Sequence, residues 1–275
     1  MQTAQGWRPE ATRAETDSAW VHPTAVVHPS AVLGRGVRIG PYAIIGEGVV
    51  LGDGTVVEMR AMVVRWTTVG RHNHIGIGAV VGNDPQDLKF HGERTELVLG
   101  DDNEIGAYVT ISRGTAAGHG ETRVGNGCRL HNYSHIGHDC QVGNGVVLEE
   151  RSGISGHVTL EDEVIIGSMA GIHQFSKIGR GALIQPLSMV NKDVPPFVVV
   201  GGNVARVVGL HEEGFGRAGL PEQDRQDVIR AFELLYHAGL NVAQAVEQME
   251  QELGGSVEVD RFIRFLRNAS RGICR

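Results

Sequence analysis

The sequence predicts a mainly β chain, a parallel β-helix followed by a C-terminal α-helical domain. The first observation behind this is a six-residue repeat. An aliphatic residue stands at 124, 130, 136, 142, 148, 154, 160, 166, 172, 178, 184 and 190 without a miss. Neither the 3.6-residue period of a helix nor the alternation of a strand produces a strict six. The second is the glycine that often follows directly, as in Val124-Gly125, Ile136-Gly137, Ile166-Gly167 and Ile178-Gly179. Glycine there fits a tight turn that needs unusual φ or a close backbone approach. The third is composition: aromatics make up 5% and glycines number 39 in 275 residues, which suits a thin solenoid. Hexads of this kind mark short strands that wind into a prism and stack their apolar residues inside.

Residues 1–19 are polar and unpatterned, which predicts a frayed N-terminal extension. The ladder then begins at Val21 and continues in phase through Val27, Leu33, Ile39, Ile45, Leu51, Val57, Val63, Val69, Ile75 and Val81. Its phase breaks twice, before Leu99 and again between Ile111 and Val124, which predicts excursion loops near 83–96 and 114–122. Loops that interrupt a regular solenoid often carry binding. Asn191-Lys-Asp-Val-Pro195-Pro196 stops the ladder, because proline cannot donate to it. The β-helix is thus expected over 20–200 and the helical domain over 201–275. Pro221 fits the first position of a helix with Val228, Ala231, Phe232 and Leu235 on one face. Asn241 with Gln244 resembles a capping pair opening a second helix, and Asp260 is expected to cap a third bearing Arg261, Arg264 and Arg267. Such a tail covers the open end of a solenoid.

A formal charge of −7 gives no sign of nucleic-acid binding. Cys128, Cys140 and Cys274 form no zinc spacing and predict a reduced, cytoplasmic compartment. No stretch is apolar for long enough to span a membrane, and the N-terminus lacks the apolar core of a signal peptide, so no stable membrane insertion is expected.

The densest chemical cluster lies inside the ladder, from His131 to Cys140. Three hexads make one turn of a triangular prism, so residues about 18 apart stack in adjacent coils, about 4.8 Å from each other. His138 then stacks on Gly156 and Gly156 on Gln174. Beside them run Gly137, Ser155 and His173 on one side, and Asp139, His157 and Phe175 on the other. His135 continues as Gly153 and Gly171, which leaves room for a ligand. A histidine can take a proton from a hydroxyl while a neighbouring carboxylate orients it. A glycine one coil away offers a backbone N–H of the kind that stabilises an oxyanion. This set fits direct acyl transfer to an alcohol, without an acyl-enzyme and without a cofactor. A solitary histidine at a turn is usually just solvated, but clustering argues for function at 135 and 138. His135-x-x-His138 with Asp139 also offers ligands for zinc; neither cysteine is spaced to join them, so no metal is expected.

At these residues the chain resembles the hexapeptide acyltransferases, and specifically the UDP-N-acetylglucosamine O-acyltransferases that start lipid A synthesis. The strings that carry the resemblance are Val21-His-Pro-Thr-Ala25, Pro85-Gln-Asp-Leu-Lys89, Arg113-Gly-Thr115, His135-Ile-Gly-His-Asp-Cys140, Ser155-Gly-His157, His173-Gln-Phe175, Asp193-Val-Pro-Pro196 and Ser270-Arg-Gly272. It covers the chain from about residue 20 to its end. The resemblance implies a left-handed coil, an exception to the right-handed crossover rule, and a homotrimer with sites between subunits. It implies His138 as general base, Asp139 as its orienter and Gly156 as oxyanion donor. It places Asp87, Lys89 and His135 near the sugar and acyl group, and His157, His173, Gln174, Glu213 and Arg217 toward the nucleotide diphosphate of a UDP-sugar. The implied donor is a 3-hydroxyacyl chain on acyl carrier protein, an acidic partner that the tail arginines attract. Pro186, where the family often has glycine, implies a shorter acyl groove. His211 replaces the family's usual Asn and Ala218 follows Arg217, so a different nucleotide-linked sugar is the alternative acceptor. A zinc hydratase of the γ-carbonic anhydrase type is the alternative chemistry on this architecture.

Overall fold

The computed structural model describes residues 18–275. The expected frayed extension, residues 1–19, lies outside the described residues except for Ser18 and Ala19. From Trp20 onward the chain runs as short strands, mostly of two residues. Among the described residues these form sheets of 11, 9 and 8 strands, the three faces of a left-handed parallel β-helix. The first face starts at Trp20–Val21, the second at Val26–Val27 and the third at Val32–Leu33. The 18-residue register is direct: Arg129 pairs with Val147 and Val147 with Ile165. Each ladder aliphatic is the inward residue of its strand, buried from Ile39 to Val190. Val21 in the first coil keeps 38% of its surface exposed, because no described coil stacks above it.

Both phase breaks are excursions, slightly narrower than expected. Residues 84–95 leave the prism between strands Val80–Asn83 and Glu96–Leu99. Residues 113–120 leave it between Thr110–Ser112 and Glu121–Val124. Both emerge at the edge between the second and third faces.

After the last coil, Val198–Gly201 pairs in parallel with the first face and antiparallel with Arg206–Leu210, so a hairpin finishes that face. Four helices follow: α1 Glu212–Arg217, α2 Glu222–Tyr236, α3 Val242–Glu252 and α4 Val257–Arg267. Pro221 sits one residue before α2, at the cap, rather than inside its first turn. The Asn241–Gln244 capping box forms in full. The third expected start is corrected: Ser256 caps α4, accepting from Val259 N, and Asp260 lies in the first turn. Gly255, at φ +103°, frees the chain to turn there, and Glu258 and Asp260 suit the positive end of the helix dipole. Helix α1 was not foreseen, since Gly214 and Gly216 give it weak propensity. Tertiary contact holds it instead, with Phe215 buried against Phe197, Leu220 and Val228. Phe232 and Cys274 join the solenoid core, so the tail covers the prism's end.

Candidate active site

His138 and Asp139 lie in the turn that follows strand His135–Ile136, at the edge between the second and third faces. Asp139 takes a left-handed φ of +59°, and its N–H donates to Thr122 Oγ1 at 2.8 Å. Its carboxylate is fully enclosed. It accepts from Thr115 N at 3.0 and 3.1 Å, from Thr115 Oγ1 at 2.7 Å and from His119 N at 2.8 Å. His138 Nδ1 lies 2.8 Å from Asp139 Oδ2. A carboxylate can only accept, so this contact puts the proton on Nδ1 and leaves the Nε2 lone pair free. Burial alone would raise the Asp139 carboxyl, but the hydrogen bonds from His138, Thr115 and His119 outweigh it and hold the group below the usual carboxylate range.

The second excursion supplies most of these donors. It can close on the carboxylate because residue 118 is glycine; a Cβ there would run into the Asp139 carboxyl. Gly156 is another place where a side chain would not fit, since its Cβ would lie 2.7 Å from His138 Nε2. The imidazole therefore rests on bare backbone. The neighbouring amides are occupied, Ser155 N donating to Ile172 O at 3.0 Å and His157 N to His138 O at 2.9 Å. Gly156 N–H has no intramolecular acceptor among the described residues. It is an unspent donor beside a poised base.

A cavity of about 550 Å³ opens over this pair. His135, His138, Gly156, His173 and Gln174 line it, whereas His157 lies outside this lining. Its floor runs along Gly153 and Gly171, in register with His135. Met189 closes the far end, its thioether against Gly171. Pro186, expected to shorten an acyl groove, stands outside this lining.

Among relatives of known kind, the description Udp N-acetylglucosamine O-acyltransferase, Domain 2, matches residues 193–274, and the bacterial transferase hexapeptide matches 121–156. The acyl-[acyl-carrier-protein]–UDP-N-acetylglucosamine O-acyltransferase of Anaeromyxobacter sp. Fw109-5 is 45% identical over 76% of this chain and 81% of its own. The chain belongs to the UDP-N-acetylglucosamine O-acyltransferase family. The solved LpxA of Acinetobacter baumannii is 38% identical, covers 93% of this chain and 99% of its own, and superposes with a TM-score of 0.89. The UDP-N-acetylglucosamine O-acyltransferase of Moraxella catarrhalis gives 35%, the same coverages and the same TM-score.

Within this acyltransferase fold the remaining predicted residues separate. His157 stacks on Phe175 with ring centroids 4.5 Å apart and meets His138 edge-on at 5.0 Å. Burial pushes the imidazoles of His157 and His135 down, so both favour the neutral form. The first excursion brings Gln86 into the cavity lining and Asp87 within electrostatic reach of His157. Lys89 is exposed, its N–H bonded to Asp87 Oδ1 at 2.9 Å. Glu213 and Arg217 do not reach the cavity of their own chain. Helix α1 lies along the edge between the third and first faces, where Arg217 bonds Gly145 O at 3.0 Å and Glu163 Oε2 at 3.1 Å. His211 joins them through Nδ1 on Gly181 O at 2.7 Å.

Sequence reading missed Thr110, Thr115, His119 and Met189. Thr110 Oγ1 meets His135 Nδ1 at 2.7 Å, yet stands 25 residues away because the second excursion lengthens that coil. Thr115 stood in the Arg-Gly-Thr string without a role. Met189 was available by extending the column of His135, Gly153 and Gly171 one coil further.

Proposed function

We propose that the protein transfers a 3-hydroxyacyl chain from acyl carrier protein to the 3-hydroxyl of UDP-N-acetylglucosamine, the reaction that opens lipid A synthesis. The observation that carries this reading is the unpaired Gly156 N–H beneath the His138–Asp139 pair. A sugar hydroxyl is too weak an acid to attack a thioester unaided. His138 Nε2 takes its proton as the new C–O bond forms, and Asp139 stabilises the imidazolium that results. The thioester oxygen gathers negative charge, and Gly156 N–H meets it in place. Collapse expels the carrier thiolate, and the imidazolium is positioned to return the proton to it. The trough over Gly153 and Gly171 takes the start of the acyl chain.

The separation of Arg217 and Glu213 from this cavity supports a homotrimer in which a neighbouring chain completes the nucleotide site. Among the described residues the one group able to hold a metal is His138, Asp139 and His157. Five donor contacts already surround the Asp139 oxygens, which favours acyl transfer over a zinc hydratase. No helix of the described residues is long and apolar enough to cross a membrane, and a cytoplasmic enzyme fits a carrier-borne donor.

Purified protein offered several UDP-sugars and a ladder of 3-hydroxyacyl carrier thioesters, read by mass spectrometry, tests this. Acylated UDP-N-acetylglucosamine is the expected product. Acyl transfer to another UDP-sugar alone would replace the acceptor, and hydrolysis without transfer would overturn the reading.

A further inference from the structure

The first excursion loop is shut at its base by one buried cation. Arg113 begins the second excursion, and its side chain has no exposed surface. Its guanidinium pairs with Asp84, the first residue of the loop, and donates through Nη1 to Arg65 O at 3.3 Å. It also lies 5.0 Å from the Trp66 ring centroid and 5.9 Å from that of Phe90, in the middle of the loop. From the loop's far end, Arg94 approaches the same Trp66 ring at 5.9 Å. The entry, the middle and the exit of the loop therefore converge on Arg113 and Trp66.

This anchor is costly. Burial lowers the Arg113 pKa despite the Asp84 carboxylate, and its Nε is buried without a hydrogen-bond partner among the described residues. A buried cation with one half-exposed carboxylate is weak evidence for stability alone. Arginine is suited to the place because its planar fork can bond at its edge and stack on aromatic rings, which lysine cannot do. Between the clamped ends, the loop delivers Gln86 to the cavity and Asp87 toward His157, while Leu88 and Lys89 point outward.

We propose that Arg113, held by Asp84 and Trp66, is a positioning residue that fixes the first excursion over the cavity and thereby sets affinity for the acceptor sugar. This rests on the acyl-transfer reading. None of the three side chains lines the cavity, so the chemical step at His138 should be left alone.

The test uses full-length Asp84→Asn and Arg113→Lys in two assays. In the first, trypsin cleavage after Lys89 and Arg94 is timed by mass spectrometry without substrate; both variants should be cut about 10-fold faster than wild type if the loop opens. In the second, KM for UDP-N-acetylglucosamine should rise about 10-fold while kcat stays within about 3-fold, the signature of lost positioning in binding. Asp84 is half-exposed, so its variant keeps the test open if Arg113→Lys fails to fold. Wild-type cleavage and KM in Asp84→Asn, even with a lowered melting temperature, would overturn the proposal; so would a fall in kcat as large as the rise in KM. Cleavage is read without turnover, so it decides the anchor even where wild type transfers no acyl group.

Discussion

Two edges of the prism use one turn for opposite ends. On the edge between the third and first faces, the second residue after each strand is Asp101, Asn126, Asn144 and Asp162 in successive coils. Each side chain accepts from the N–H one coil earlier: Asp101 N to Asn126 Oδ1 at 2.7 Å, Asn126 N to Asn144 Oδ1 at 2.9 Å and Asn144 N to Asp162 Oδ1 at 2.7 Å. On the edge between the second and third faces, the same position reads His138, Gly156 and Gln174. No side chain returns to the Gly156 amide. The first edge consumes its donors in a ladder that ties coil to coil. The second leaves the amides of His138, Gly156 and Gln174 without an intramolecular acceptor among the described residues, and such a donor has use only where a ligand brings the acceptor.

The largest expected effect comes from removing the base on the second edge. His138→Ala should lower kcat by at least about 10²-fold with little change in KM, measured by steady-state acyl transfer, because the lost interaction forms in the transition state. Asp139→Asn should cost less. The carboxyl is held below its usual range, so its stabilising effect is present above the unfolded pKa of about 3.9 and is lost as pH falls through its lower folded value. The stability gap between wild type and Asp139→Asn, followed by denaturant titration, should therefore shrink in acid.

Next is a change that makes the two edges alike. Gln174→Asn places a shorter amide in the ladder register, where its oxygen can cap Gly156 N–H. Turnover should fall about 10²-fold, the usual cost of losing one oxyanion donor, and full activity would show that Gly156 is not that donor. The converse substitution, Asn144→Ala, leaves the Asn126 amide uncapped on the other edge. It should cost about 1 kcal/mol in stability and nothing in kcat. A smaller effect is expected at the cavity's end. Met189→Gly should extend the trough by one coil, about 4.8 Å, and shift donor preference to longer chains, whereas Pro186→Gly should leave preference where it is.

The prism and the columns were legible because a six-residue repeat, three to a turn, converts sequence spacing into height and direction. His138 over Gly156, His157 on Phe175 and His135 above Gly153 all follow from counting. The excursions were visible only as breaks in phase. Counting cannot say where an irregular loop returns, so the Thr115 and His119 donors to Asp139 were hidden, as was Gln86 at the cavity. Helix α1 was hidden for another reason: two glycines erase its local signal, and Phe215 holds it by long-range packing. The Asp260 cap failed on a local competition, since Ser256 stands earlier and follows a flexible Gly254-Gly255 pair.

Arg217 and His138 stand on different edges of the same chain, and that arrangement has a genetic consequence. In the proposed trimer each working site takes its base from one chain and its arginine from the next. Chains carrying His138→Ala and chains carrying Arg217→Ala would each be defective alone, yet a mixed ring contains one junction where both undamaged halves meet. Random assembly of equal amounts makes about three-quarters of the rings mixed, each with one intact site in three, so about a quarter of wild-type activity should reappear on cyclic symmetry. Two broken alleles would complement within one polypeptide species. A reassembled mixture no more active than its parents would place both halves in the same chain.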